Sequence, residues 1–207
     1  MKNIFEFLQI AEKLKSEKRD NKLSNGEYES VASHSWMMGL FALLFHDKME
    51  NKIDIGHVLK IIIVHDLAES IVGDMPLYKQ CSENDKKCKN DAEKAAIEKM
   101  ASLLSPEKGQ EILSLWQEYQ NNETPEAKFA KACDKLEATA QSLMFDNVSY
   151  WRDYDSDFYY DCALNERRKN YWEHEPALKE FSKLMCDLTK ERMESEGMDC
   201  EKYLKKT

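Results

Sequence analysis

The run Ile61-Ile62-Ile63-Val64 ends in His65-Asp66. A core-bound apolar stretch thus meets an imidazole and a carboxylate, and this restricts the folds open to the chain more than any other feature. A carboxylate carried inward is costly unless something positive meets it. Val58, Ile62, Asp66 and Glu69 recur at steps of three and four, so on one helix they share a face. His65 and Glu69 are four apart, which turns an aliphatic stripe into a patch of one imidazole and two carboxylates. His34 heads a second stripe, continued by Met37, Met38, Phe41, Leu44 and Phe45 and expected to point inward. Asp134 follows Ala127 and Ala130 and precedes Ala138, on a helix whose small residues permit close approach. Taken singly, a histidine ending an apolar stripe is more often a hydrogen-bonded core residue than a ligand. Together, His34, His65, Asp66 and Asp134 make a ligand set for one divalent cation. Imidazole plus carboxylate donors suit manganese, iron, cobalt, nickel or zinc.

The rest of the chain reads as all-α. Only 6 Gly and 4 Pro occur among 207 residues, and no sustained alternation of apolar and polar residues announces a large sheet. Ser105-Pro106-Glu107 and Thr124-Pro125-Glu126 each place a capping residue before Pro and an acid after it, and Glu175-Pro176 is a weaker version. Helices are expected near 3–16, 34–49, 55–72, 86–104, 107–121, 125–146, 164–174 and 177–195, with a polar loop running through Ser30 and another from Gly73 to Asn84. The length suits one domain with a substantial core, and 42% hydrophobic residues suffice to fill it. Residues 147–163 hold Tyr150, Trp151, Tyr154, Phe158, Tyr159 and Tyr160, a density that suits packing or a homodimer interface better than a ligand platform.

With 30 basic and 39 acidic residues the formal charge is −9, which repels polyanions and leaves no basic stripe for long nucleic acid. A small phosphate ester stays compatible, because a bound cation dominates the field inside its own pocket. Six cysteines occur without Cys-x-x-Cys spacing, the first residues lack a signal-peptide core, and no run is long enough to span a bilayer. A reduced, cytoplasmic protein with no membrane contact is the expectation.

Three motifs carry a resemblance. Glu29-Ser30-Val31-Ala32-Ser33-His34-Ser35, then His65-Asp66-Leu67-Ala68-Glu69 with Gly73-Asp74-Met75-Pro76, then Ala130-Lys131-Ala132-Cys133-Asp134-Lys135-Leu136-Glu137 together resemble the HD-domain metal-dependent phosphohydrolases, in particular the 5′-deoxynucleotidase branch. The resemblance covers roughly residues 1–175, leaving 176–207 as a C-terminal helix and polar tail of the same domain. It implies a single helical bundle around a central divalent metal held by His34, His65, Asp66 and Asp134. It further implies Glu69 as the catalytic carboxylate, Asp74 as a catalytic and sugar-side residue, and Arg19 as the phosphate-binding residue. Read without it, Arg19 in Lys18-Arg19-Asp20 is equally a surface salt bridge, and Glu69 equally a carboxylate orienting a ligand. In the deoxynucleotidases a Trp that crowds the ribose 2′-hydroxyl follows the Arg. Here Asp20 stands in that place, so the expectation is a nucleoside monophosphate phosphohydrolase with relaxed sugar selectivity. Three alternatives stay open: another small phosphate ester, a nucleoside triphosphate, and a metal-binding regulatory module without turnover. An alarmone hydrolase is disfavoured, because the Glu-Asp pair that those enzymes carry shortly after the His-Asp is absent here, where Ser70 follows Glu69.

Overall fold

The computed structural model describes residues 1–76, 82–145, 169–173 and 175–200. In chain order these form α1 (Lys2–Ala11), an antiparallel ribbon of β1 (Lys18–Lys22) and β2 (Tyr28–Ser30), α2 (Val31–Phe45), α3 (Ile55–Val64), the single turn α4 (Glu69–Val72), α5 (Glu83–Ala101), α6 (Pro106–Asn121), α7 (Pro125–Met144) and α8 (Pro176–Ser195). The all-α expectation holds, with the ribbon as its one described sheet. The aromatic segment 147–163 and the first part, 164–168, of the helix expected over 164–174 lie outside the described residues; of the rest, Lys169–Tyr171 forms a 3-10 turn.

Local chemistry fixes where the helices begin. Asp54, Ser105 and Thr124 each accept a hydrogen bond from the backbone N–H three residues on, and Pro106, Pro125 and Pro176 open their helices at a position whose N–H is not needed. Ser30 and Ser33 form a reciprocal capping box, which starts α2 at Val31 and sets His34 within its first turns. Glu175 makes no capping bond of its own. Its buried carboxylate instead accepts from the Glu50 backbone at 3.0 Å and from Asn51 Nδ2 at 2.7 Å, tying the start of α8 to the α2–α3 connection.

The core lies where α2, α3 and α7 meet. Met38, Phe41 and Ala42 pack with Val58, Ile61 and Ile62 and with Phe129, Ala130, Cys133 and Leu136, while Leu178 and Met185 of α8 join the same cluster. The α2–α3 pair is antiparallel. A β-carbon on Gly39 would lie 3.7 Å from Leu59 Cδ2, and the His34 and His65 ring centroids are 5.8 Å apart.

Three expectations need correction. The polar stretch before Ser30 is a β-ribbon, not a loop. Asn25-Gly26 was the signal: Gly26 adopts φ +85°, and the Asn25 side chain accepts from the Glu27 N–H. Strands without apolar alternation hid it. The helix expected over 55–72 breaks after Val64. Leu67, Glu69, Ser70 and Ile71 each donate to the carbonyl three residues back, so the backbone winds more tightly than an α-helix through the motif. Leu44, expected in the core, is 59% exposed, because α2 is apolar on all sides. Its outer face carries Trp36, Leu40, Leu43 and Leu44, and the antiparallel register brings the 70% exposed Ile63 of α3 level with Trp36.

Candidate metal centre

His34 is fully buried on α2, and its two ring nitrogens have different neighbours. Nδ1 lies 2.5 Å from Glu137 Oε2, while Nε2 has no hydrogen-bond partner and lies 3.3 Å from Asp134 Oδ1. His65 repeats the arrangement. Its Nδ1 donates to the Ile62 carbonyl at 2.6 Å, and its buried Nε2 sits 2.9 Å from Asp66 Oδ2 without making a hydrogen bond. Holding Nδ1–H on a backbone or carboxylate acceptor leaves the Nε2 lone pair as the donor to a cation. The free ligand atoms of His34, His65 and Asp66 all lie within 4.8 Å of one another. Asp134 flanks them through Oδ1. Its Oδ2 accepts from the Tyr119 hydroxyl at 2.5 Å and lies 2.8 Å from Lys135 Nζ. Buried imidazole nitrogens without partners are rare in folded proteins, and this donor set fits a divalent transition cation.

The site gathers more acid than it can hold ionised unaided. Burial alone would raise the Asp134 and Asp66 carboxyls, yet Lys135 and His34 hold Asp134 well below the usual carboxylate range, and His65 and Arg19 do the same for Asp66. His34 moves the other way. Burial and Arg19 oppose its charge, but Glu137 and Asp134 outweigh them and raise it to about 9. Without a cation, a proton on His34 offsets part of the negative charge.

Arg19 reaches the site from β1, its Nε 3.4 Å from Glu29 Oε2 and its Nη1 3.7 Å from Asp66 Oδ2. Arg19 is thus engaged in ion pairs, with partners beside His34 and His65 and not at the outer surface. Asn21 of the same strand donates to the Ala138 carbonyl of α7 at 3.3 Å. The β1–β2 register is irregular between Lys18 and Lys22, and Asp20 lies half-buried within that stretch. Glu69 is buried, with Oε1 4.0 Å from Lys89 Nζ and Oε2 unpartnered. Burial, with Asp66 and Asp74 nearby, pushes its carboxyl up to about 10. Asp74 follows Gly73, whose φ of +79° turns the chain, and its backbone N–H donates to Glu17 Oε1 at 3.0 Å. Burial raises the Asp74 carboxyl against the pull of Arg19.

Of the residues singled out in the sequence, His34, His65 and Asp66 cluster, Asp134 and Arg19 adjoin them within 4 Å, and Glu69 and Asp74 lie near enough for their charges to be felt. The sequence reading missed their supports. Glu137 lies one helical turn beyond Asp134, a spacing visible in the motif; Glu29 precedes the α2 cap. Tyr119 packs edge-on against His65 with centroids 5.0 Å apart, and no periodicity marks it. Lys89 and Glu93 pair at 3.2 Å on α5, in a charged stretch that reads as solvated surface. A separate cleft of about 520 Å³ between α5 and α6, lined by Ile97, Leu113 and Trp116, contains none of the metal-centre residues.

The HD-domain family model matches residues 11–178. The chain belongs to the HD-domain family. Among curated HD-domain relatives, a 5′-deoxynucleotidase of Dictyostelium discoideum is 36% identical, the alignment covering 70% of this chain and 79% of that one. A 5′-deoxynucleotidase of Schizosaccharomyces pombe is 35% identical over 70% of this chain and 73% of its own. In structure the fold is similar to a predicted metal-dependent phosphohydrolase of Magnetospirillum magnetotacticum, with TM-score 0.76, 24% identity and coverage of 98% and 94% of the two chains. A divalent metal accords with the HD-domain family and with the donor set here.

Proposed function

We propose that this chain is a metal-dependent phosphohydrolase that releases phosphate from nucleoside 5′-monophosphates. The observation that carries the reading is the pair of buried, unpartnered Nε2 atoms of His34 and His65, set against Asp66 and Asp134 with Arg19 alongside. The similarity to 5′-deoxynucleotidases narrows the substrate class. A bound divalent cation, of the manganese, iron, cobalt, nickel or zinc type, supplies a Lewis acid that polarises the ester and acidifies water. His34, His65, Asp66 and Asp134 hold it. Arg19 presents a planar fork to phosphate oxygens. Glu69, buried and carrying a proton in the cation-free protein, is placed to exchange that proton with water or the leaving 5′-oxygen. Asp74 meets the sugar. No Trp follows Arg19, so both ribose and deoxyribose are accepted. Asp20 is smaller than the Trp it replaces, and the added tolerance comes from the space this leaves.

The reading extends to a cytoplasmic single domain of residues 1–175 plus the 176–207 helix and tail, acting as a homodimer. Free thiols at Cys88 and Cys133 fit a reducing compartment, and no described helix is long and apolar enough to cross a membrane. The outer stripe of Trp36, Leu40, Leu43 and Leu44 with Ile63 supports pairing, because an apolar face of this extent suits a self-complementary contact between two copies. Light scattering of the wild type and of Trp36→Glu tests the dimer; equal masses for both proteins would remove this face from it.

One experiment addresses the activity. The protein is stripped, reloaded with single divalent metals, and assayed for phosphate release from ribo- and deoxyribonucleoside mono-, di- and triphosphates and from sugar phosphates. Monophosphates should be the best substrates, with little difference between the sugars. A metal-loaded protein that turns over none of them would instead be a binding module.

A further inference from the structure

Four cations reach the metal centre, and three are already engaged by carboxylates. Arg19 contacts Glu29 and Asp66, Lys89 contacts Glu93 at 3.2 Å, and Lys135 contacts Asp134 at 2.8 Å. Lys131 differs. Its ammonium lies 3.7 Å above the centre of the Tyr119 ring, and among the described residues no carboxylate oxygen comes within ion-pair distance of it. The position is not peripheral. Lys131 sits one turn before Asp134 on α7, and the ring beneath it bonds Asp134 through its hydroxyl and packs on His65.

A half-buried ammonium ordinarily finds a counter-anion, because its desolvation is otherwise uncompensated. An aromatic face compensates only in part. Burial, with Lys135 and Lys89 close by, lowers Lys131 to about 8, so it still carries its charge at neutral pH. We propose that Lys131 is a phosphate-binding residue, gripping the substrate's phosphate dianion from the Asp134 side while Arg19 grips it from the Asp66 side. The Tyr119 ring holds the ammonium in place between substrates. The assignment deepens the phosphohydrolase reading and rests on it for the identity of the anion.

The test is inorganic phosphate binding to the metal-loaded protein, measured by calorimetry for the wild type, Lys131→Met and Lys131→Arg. Met keeps the aliphatic stem over Tyr119 and removes the charge. Its phosphate dissociation constant should rise by roughly ten- to a hundredfold, and Arg should restore most of the loss. In turnover the Met variant should show its defect mainly in KM. Metal content and melting temperature should stay near wild type. Reductive methylation of the wild type supplies a readout that needs no variant: saturating phosphate should protect Lys131, as seen by mass spectrometry. Unchanged phosphate affinity in Lys131→Met, or full methylation of Lys131 under phosphate, would overturn the assignment even if the protein proves a nucleotidase. Conversely, a wild type that binds phosphate through Lys131 yet hydrolyses no nucleotide would keep the assignment and discard the reading it came from.

Discussion

The floor and the rim of the candidate metal centre are built on opposite plans. On the floor, His34 and Asp134 stand on the long helices α2 and α7, and His65 on the turn that closes α3. Each has a fixed partner behind it: Glu137 for His34, the Ile62 carbonyl for His65, Tyr119 for Asp134. On the rim, Arg19 comes from a two-stranded ribbon, Glu69 from a single helical turn, Asp74 from a glycine-turned connection and Lys131 from the edge of α7, with charges left partly unmatched. A cation needs donors that do not move, whereas a substrate that must leave needs contacts that are completed only on its arrival. The difference predicts a clean division: floor substitutions should change metal content, and rim substitutions should change turnover in a protein that keeps its metal.

Asp66→Ala is the largest test, since it removes a donor from the middle of the cluster. Metal analysis should find the ion lost and phosphate release at background; retention of both would take Asp66 off the floor. Glu69→Gln comes next. The amide preserves shape but carries no exchangeable acid, so turnover should fall by about 10² to 10⁴-fold with metal content intact. Loss of metal in this variant would erase the boundary between floor and rim.

Glu137→Gln should weaken metal affinity by roughly 10–100-fold without unfolding the protein, as expected when the acceptor behind a ligand histidine loses its charge. A titration showing wild-type affinity would reduce Glu137 to packing.

A last effect is graded with pH, small over any single unit. His34 is raised from 6.5 to about 9 in the cation-free protein, so its proton stabilises that form fully below pH 6.5, and the contribution is lost as pH rises through about 9. Metal binding must displace this proton. Apparent affinity should therefore climb by about tenfold per pH unit toward pH 9 and then level off, with proton release detectable by calorimetry in buffers of different ionisation enthalpy. A flat profile over that range would mean His34 holds no extra proton.

The floor was largely legible in the sequence because it interrupts apolar stripes. His34, the His65-Asp66 pair and Asp134 stand out where Met38, Ile62 and Ala130 continue the core, and helical spacing alone brings them inward. Of the rim, Glu69 was legible from helical spacing, whereas Arg19 and Asp74 were legible only through family resemblance. Nothing periodic marks Arg19, whose ribbon is polar throughout, and Lys131 reads as one more charge on a charged helix until the Tyr119 ring appears beneath it. The break after Val64 was hidden too. A stretch that winds through i→i−3 bonds keeps nearly the same three-residue spacing as an α-helix, so Asp66 and Glu69 share a side in either geometry. Pairings across the fold, such as His34 with Glu137 over 103 positions, lie beyond any pattern that a local window can hold.

That separation also gives the site an order of assembly. During synthesis the imidazoles of α2 and the α3 turn emerge long before α7, and until α7 docks they have neither Glu137 nor Asp134 to face. The hairpin of α2 and α3 therefore carries an unfinished polar seam that discourages it from closing as an independent unit. The arrival of α7 both covers the seam and completes the ligand set, so a chain stopped before residue 125 should leave the hairpin loose, however apolar its helices are.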